Sequence, residues 1–231
     1  MMKTGESSEI FQSSSSYWDS KVKDFDAIYT GEGWPKPYKL LSDILRRDIF
    51  DRVNASVAIA KAYDRPISIL DIGCGTCRLI EALHPTEHFV VGVDYSSEML
   101  TKAKEILTAK GISEDSYRLI FGDVVNNWPN ELDAYKKFEI VVMLGLVEYI
   151  SDPVPLLQKM LRFNPDKILV SFCRAKTPRT YIRRLRYKIQ GLDCPLFFYT
   201  QKEIQEIGEQ LGAKSTKIQI LGTLHFTEFS F

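Results

Sequence analysis

The stretch I-S-I-L-D-I-G-C-G-T-C-R-L at residues 67–79 limits what this chain can fold into more than any other. Ile67, Ile69, Leu70 and Ile72 make a short apolar run rich in β-branched residues, which reads as a buried strand. The run gives way to Gly73 and Gly75. Without Cβ atoms they allow a turn with positive φ and a close approach of ligand to backbone. Thr76 is expected as the N-cap of a helix that continues through Arg78–Leu83. Strand, glycine turn and helix start together suit a small ligand bearing negative charge.

The rest of the chain alternates in the same way. Strands are expected at 88–94, 117–121, 138–144 and 167–172, with a last pair at 217–221 and 224–231. Helices are expected at 96–110, capped by Ser96 or Ser97 and closed by Gly111, at 151–161, and at 200–211 behind a Thr200/Glu203 capping box. Residues 178–190 read as a basic helix. Such alternation makes a mainly parallel sheet covered on both faces, and the last two strands, with little between them, must be antiparallel. Upstream, residues 1–13 read as a frayed tail and 14–29 as an amphipathic helix. A long helix from Pro37 ends near Asp64.

Composition removes several classes of function. Thirty basic and thirty acidic residues cancel, so no global field points to nucleic acid or a membrane. No apolar run is long enough to span a bilayer, and residues 1–9 lack a secretory h-region, so a cytoplasmic location is expected. Four cysteines, Cys74, Cys77, Cys173 and Cys194, read as reduced thiols. A zinc site would need a second ligand pair beside Cys74-x-x-Cys77, and Cys173 and Cys194 lie far apart, so no metal is expected. A nicotinamide dinucleotide would require G-x-G-x-x-G, but the third position is Arg78. No G-K-[ST] closes a Walker loop.

Four segments point elsewhere. D-I-G-C-G-T-C at 71–77, V-V-G-V-D-Y-S-S-E-M-L at 90–100, F-G-D at 121–123 and M-L-G-L-V-E-Y-I-S-D-P at 143–153 occur in order. In order and spacing they resemble the motifs of the class I S-adenosylmethionine-dependent methyltransferases, in the small-molecule branch. The resemblance covers about residues 65–231. It implies an α/β fold with a Rossmann-like, doubly wound, seven-stranded sheet, mostly parallel with a C-terminal antiparallel strand, and an N-terminal helical cap. The expected division is a tail and cap over 1–64 and a cofactor-binding core over 65–231, cap and core forming a single globular unit. One departure stands out: many members have a third glycine where this chain has Cys77.

The resemblance also assigns roles. Gly73, Cys74 and Gly75 would let the backbone approach the methionine part of S-adenosylmethionine, and Asp71 would accept from its α-amino group. Asp94 would take both ribose hydroxyls. Tyr95 and Met99 would pack on the adenine, with Asp123 and the Val124 amide reading its edge. Leu144 and Gly145 would lie near the sulfonium, and S-adenosylhomocysteine would be the product. Asp94 and Asp123 also read as ordinary turn residues after strands, and Met99 as core.

The reaction implied is methyl transfer to a small-molecule acceptor, most simply an oxygen nucleophile. No strong general base is evident. Glu148 and Tyr149, after the fourth strand, and His225, on a terminal strand, are the candidates. Trp18 and Tyr29 in an aromatic lid, Tyr149 and Arg183 are the candidates for contact with the acceptor. Residues 174–188 hold seven Lys or Arg among fifteen and no acid, which suits an anionic or carrier-bound acceptor. The alternatives are a catalytically silent cofactor-binding partner subunit or an RNA methyltransferase. Nucleic acid is disfavoured because G-L-V-E-Y stands where N-P-P-Y would be expected.

Overall fold

A computed structural model describes residues 36–175, 177, 181 and 196–231, with residues 36–46 described by backbone alone. Trp18, Tyr29 and Arg183, the expected 14–29 and 178–190 helices and Cys194 lie outside the described residues. The elements are α1 (Lys36–Lys61), β1 (Ser68–Ile72), α2 (Arg78–Leu83), β2 (Phe89–Asp94), α3 (Ser97–Ala109), β3 (Tyr117–Phe121), β4 (Ile140–Leu144), α4 (Val154–Met160), β5 (Lys167–Cys173), α5 (Gln201–Gln210), β6 (Ser215–Leu221) and β7 (Leu224–Ser230).

The strands form one seven-stranded sheet in the order β3-β2-β1-β4-β5-β7-β6. β1 to β5 pair in parallel, and β7 lies antiparallel between β5 and β6. The order reverses between β1 and β4. At such a point neighbouring crossovers leave in opposite directions, which opens a crevice at the carboxyl ends of the strands.

Alternation of side chains across the strands makes two cores. Leu70, Ile72, Val91, Val93, Val141, Met143, Val170 and Phe172 face α4 and α5. Ile69, Val90, Ile140, Val142 and Leu169 face α1, α2 and α3, meeting Val53, Val57 and Ala60 of α1. Each fully buried Ile, Leu or Val here contributes roughly 1.5–3 kcal/mol, so the sheet centre is the most heavily stabilised part of the fold. Helix α1 thus shares a core with the strands, although it lies before the expected boundary at 64/65.

Element ends differ from expectation in informative ways. His88 stands outside β2, its Nδ1 accepting from the Ile67 amide at 3.4 Å. Phe138 and Glu139 precede β4. Glu139 is held back by its carboxylate, which accepts from the Ser68 amide and from Arg65. α4 ends at Met160 and tightens into a 3₁₀ turn over Leu161–Phe163. Thr76 is not the cap of α2. The Cys77 amide donates to the Cys74 carbonyl at 2.9 Å, and this turn places Cys77 in the cap position with φ 60° and ψ 40°. The helix therefore starts one residue later, and Thr76 is buried inside the turn.

Candidate cofactor and active site

The first glycine loop is held to β2 by backbone. The amides of Gly73 and Cys74 both donate to the Val93 carbonyl, at 2.8 and 3.1 Å. Gly73 has φ 71°, and a Cβ there would stand 3.5 Å from the Leu146 side chain. The loop and the segment after β4 thus face each other closely. Gly73 is restricted by its positive φ, and Gly92 by space: a Cβ there would stand 2.9 Å from Cys74 Sγ.

Asp94 ends β2 and organises the loop. Its Oδ2 accepts from the Gly75 amide at 2.8 Å and its Oδ1 from the Ser96 amide at 2.9 Å. Each oxygen retains acceptor capacity after one such bond, so the carboxylate is both oriented and able to receive further donors. Ser96 then caps α3, its hydroxyl accepting from the Met99 amide at 3.1 Å. Asp123 shows the same economy after β3. One carboxylate oxygen accepts from the Val125 and Asn126 amides, the other from the Asn126 side chain.

Between these loops lies an open groove at the carboxyl ends of β1, β2 and β3. Gly73, Asp94, Tyr95, Asp123 and Val124 line it as expected. Ile72, Val93, Val125 and Leu146 complete an apolar wall that the sequence reading did not assign. Met99 is buried on α3 and does not line the groove. Leu144 packs with the α1-side core, and the Gly145 amide donates to Ser171 Oγ at 2.8 Å.

A second group of charges sits beside the groove. Asp71 is 4 % exposed, and burial, aggravated by the Asp94 charge, pushes its carboxyl up to about 7. Arg52 of α1 acts in the opposite sense. The Arg52 guanidinium lies over Gly145, where a Cβ would be 2.8 Å from Nη1, and it donates to Ser171 Oγ at 3.3 Å. Gly145 has φ 79°. Arg52 escaped sequence reasoning because the long helix was read for its apolar stripe alone, and Ser171 because it sits inside the apolar run of β5. A buried arginine between apolar positions Ile49 and Val53 leaves no periodic signal.

The remaining candidates stand further off. Glu148 is buried in a 3₁₀ turn, its carbonyl accepting from the Phe197 amide at 2.8 Å, and Tyr149 adjoins it. His225 pairs across the sheet with Phe172 and Ile220, two strands from β4. Burial and the Arg174 charge push its imidazole down, so it is neutral at pH 7. Among the described residues its Nδ1 has no hydrogen-bond partner. The groove and the Asp71–Arg52 group do not include it.

A glycine loop locked to an acid at the end of the next strand, beside the reversal of strand order, is what a family model then identifies. The chain belongs to the methyltransferase domain family, class I S-adenosylmethionine-dependent, whose model matches residues 64–210. It is 27% identical over 115 residues to a ubiquinone biosynthesis O-methyltransferase of Actinobacillus pleuropneumoniae, covering 49% of this chain and 48% of that protein. It is 30% identical over 153 residues to a carboxy-S-adenosyl-L-methionine synthase of Trichodesmium erythraeum, covering 59% and 56%. The chain thus spans about half the length of the curated relatives it matches. Its fold is similar to that of magnesium protoporphyrin IX methyltransferase from Synechocystis, with a TM-score of 0.72 at 16% identity, over 94% of this chain and 97% of that one. The latter was crystallised with S-adenosylhomocysteine. The family's cofactor is S-adenosylmethionine. Among the described residues no helix is long and apolar enough to cross a membrane.

Proposed function

We propose that the chain transfers a methyl group from S-adenosylmethionine to a small-molecule acceptor through an oxygen nucleophile. The observation that carries this reading is Asp94: a buried carboxylate, fixed by two loop amides, lining the groove beside Gly73. When bound, the cofactor supplies an activated methyl on a sulfonium with a good leaving group. The chain's own work is to bind, orient and exclude water.

Asp94 accepts from the ribose hydroxyls, each charge-assisted bond contributing roughly 1.5–3 kcal/mol. Asp71 takes the α-ammonium, and Arg52 beside it takes the α-carboxylate, so a zwitterion meets a buried pair of opposite charges. Ile72, Val93, Val125 and Leu146 cover the apolar faces, while Asp123 and the Val124 amide read the adenine edge. Holding acceptor and methyl in line can supply about 7–11 kcal/mol of the barrier without a strong base. Glu148 and Tyr149 are proposed for proton removal where the acceptor is a hydroxyl. The aromatic stretch with Trp18 and Tyr29 is proposed as lid, and the basic 174–188 stretch with Arg183 as the contact for an anionic or carrier-bound acceptor. The O-methyltransferase relative supports the oxygen acceptor.

The relative that is a carboxy-S-adenosyl-L-methionine synthase favours a second reading, modification of the cofactor itself. One experiment separates them. The protein is incubated with S-adenosylmethionine carrying a labelled methyl and a metabolite extract, and both pools are followed by mass. Label in an extract metabolite with release of S-adenosylhomocysteine supports methyl transfer. A heavier cofactor with no labelled metabolite overturns it in favour of the second reading.

A further inference from the structure

Cys74 and Cys77 form a C-x-x-C pair whose thiols the cofactor reading does not use, Cys74 entering it through its backbone alone. Both are free thiols, 8 % and 0 % exposed. The Cys77 amide to Cys74 carbonyl bond closes a four-residue turn, which brings the two Cα atoms within roughly 7 Å. That separation is within reach of a disulfide, whose Cα atoms usually lie ~4.4–6.8 Å apart. Both sulfurs approach the same atom, the Gly75 carbonyl oxygen, at 4.0 Å. Cys74 Sγ packs against Gly92 of β2, where even a Cβ would stand 2.9 Å away, so the sulfur has no room to move toward that strand.

We propose that Cys74 and Cys77 are an oxidative modification site, closed to an intramolecular disulfide by low-molecular-weight disulfides, and that closure opposes cofactor binding. The inference rests on the cofactor site described above. A small disulfide exchanges first with Cys74, the more exposed thiol, giving a mixed disulfide and releasing one thiol. Cys77 then attacks Cys74 Sγ, expelling the second thiol. Two protein thiols are oxidised and one small disulfide is reduced to two thiols. Burial and the neighbouring thiol hold Cys74 protonated, so the first exchange speeds up as pH rises.

The consequence follows from what lies between the two cysteines. Gly75, with φ 52°, donates its amide to Asp94 Oδ2. Bringing the sulfurs to ~2.05 Å redraws this turn. The amide that orients the Asp94 carboxylate moves with it, and so does the close contact across Gly73.

The test uses the full chain, purified reduced and then treated with oxidised glutathione at alkaline pH. Peptide mapping reads the linkage and calorimetry reads S-adenosylhomocysteine affinity. The expected result is a Cys74–Cys77 crosslink, affinity reduced about tenfold or more, and recovery on reduction. Bound S-adenosylhomocysteine slows the oxidation. A variant with Cys173→Ser and Cys194→Ser keeps the response, and in Cys74→Ser, which lacks the thiol that exchanges first, the affinity is the same with and without oxidant. A crosslink that leaves affinity unchanged, or no crosslink at all, overturns the inference. Reduced protein that never binds S-adenosylhomocysteine overturns the cofactor reading instead.

Discussion

Cys77 shows how one residue can depart from a family pattern and keep its geometry. The turn needs φ near 60° at this position. A non-glycine residue in that conformation costs about 1–2 kcal/mol. A small side chain, fully buried in the α1-side core, offsets part of it. A β-branched residue has no such tolerance, so Cys77→Val is expected to destabilise by about 2–4 kcal/mol, read as a lower Tm. A Tm within a degree or so of the parent (about 0.3 kcal/mol) would contradict the assigned backbone.

Asp71 belongs to the same scale. Its carboxyl is raised from 3.8 to about 7 in the fold. The folded protein therefore holds a proton that the unfolded chain has released. Stability from this group is fully present below about pH 4 and is lost as pH rises through about 7. An incoming ammonium reverses the preference and drives Asp71 to ionise. Calorimetry near pH 6 in buffers of different ionisation enthalpy is expected to show proton release on S-adenosylhomocysteine binding. In Asp71→Asn that release disappears. Unchanged release in the variant would remove Asp71 from the site.

At the scale of elements, α1 does more than cover the sheet. Asp48, one turn before Arg52, accepts from the Thr223 amide and hydroxyl at the β6–β7 hairpin. Asp48 thereby ties the helix to the far side of the sheet, and Arg52 lies over Gly145 and Ser171 between them. Asp48→Ala leaves Thr223 without this acceptor and is expected to cost about 1–3 kcal/mol in urea unfolding. Gly145→Ala is expected to displace the guanidinium and weaken S-adenosylhomocysteine about tenfold; equal affinity would separate Arg52 from the cofactor.

The elements were legible to different degrees. Hydrophobic runs such as Ile140–Met143 announced their strands, and Ser96, Gly111 and the Thr200/Glu203 box announced helix ends, because these signals are local. Asp94, Asp123 and Gly73 were legible through motif order. Leu146 and Arg52 were not, since each becomes part of the site only when separate segments meet over the sheet. Thr76 misled because its residue type suits a cap, while the preceding turn had already taken one more residue.

For the whole molecule, the strand order sets the site. Reversal between β1 and β4 opens the crevice, and in the proposed function the acids at the ends of β1 and β2 are assigned to a charged nucleoside. The inserted β7 closes the other side and leaves β6 as the edge, so α1 must bridge from the glycine loop to the hairpin. The fold thus sets the glycine loop along the groove, while the N-terminal helix reaches over Gly145 to the C-terminal hairpin.

The most direct test is calorimetry of S-adenosylhomocysteine against the parent protein and Asp94→Asn, with Tm measured on both. The account predicts binding by the parent and a loss of about a hundredfold or more in the variant, corresponding to roughly 3 kcal/mol of charge-assisted bonding, while the variant stays folded. Undiminished binding by a folded Asp94→Asn protein, or no binding by the parent, would contradict it.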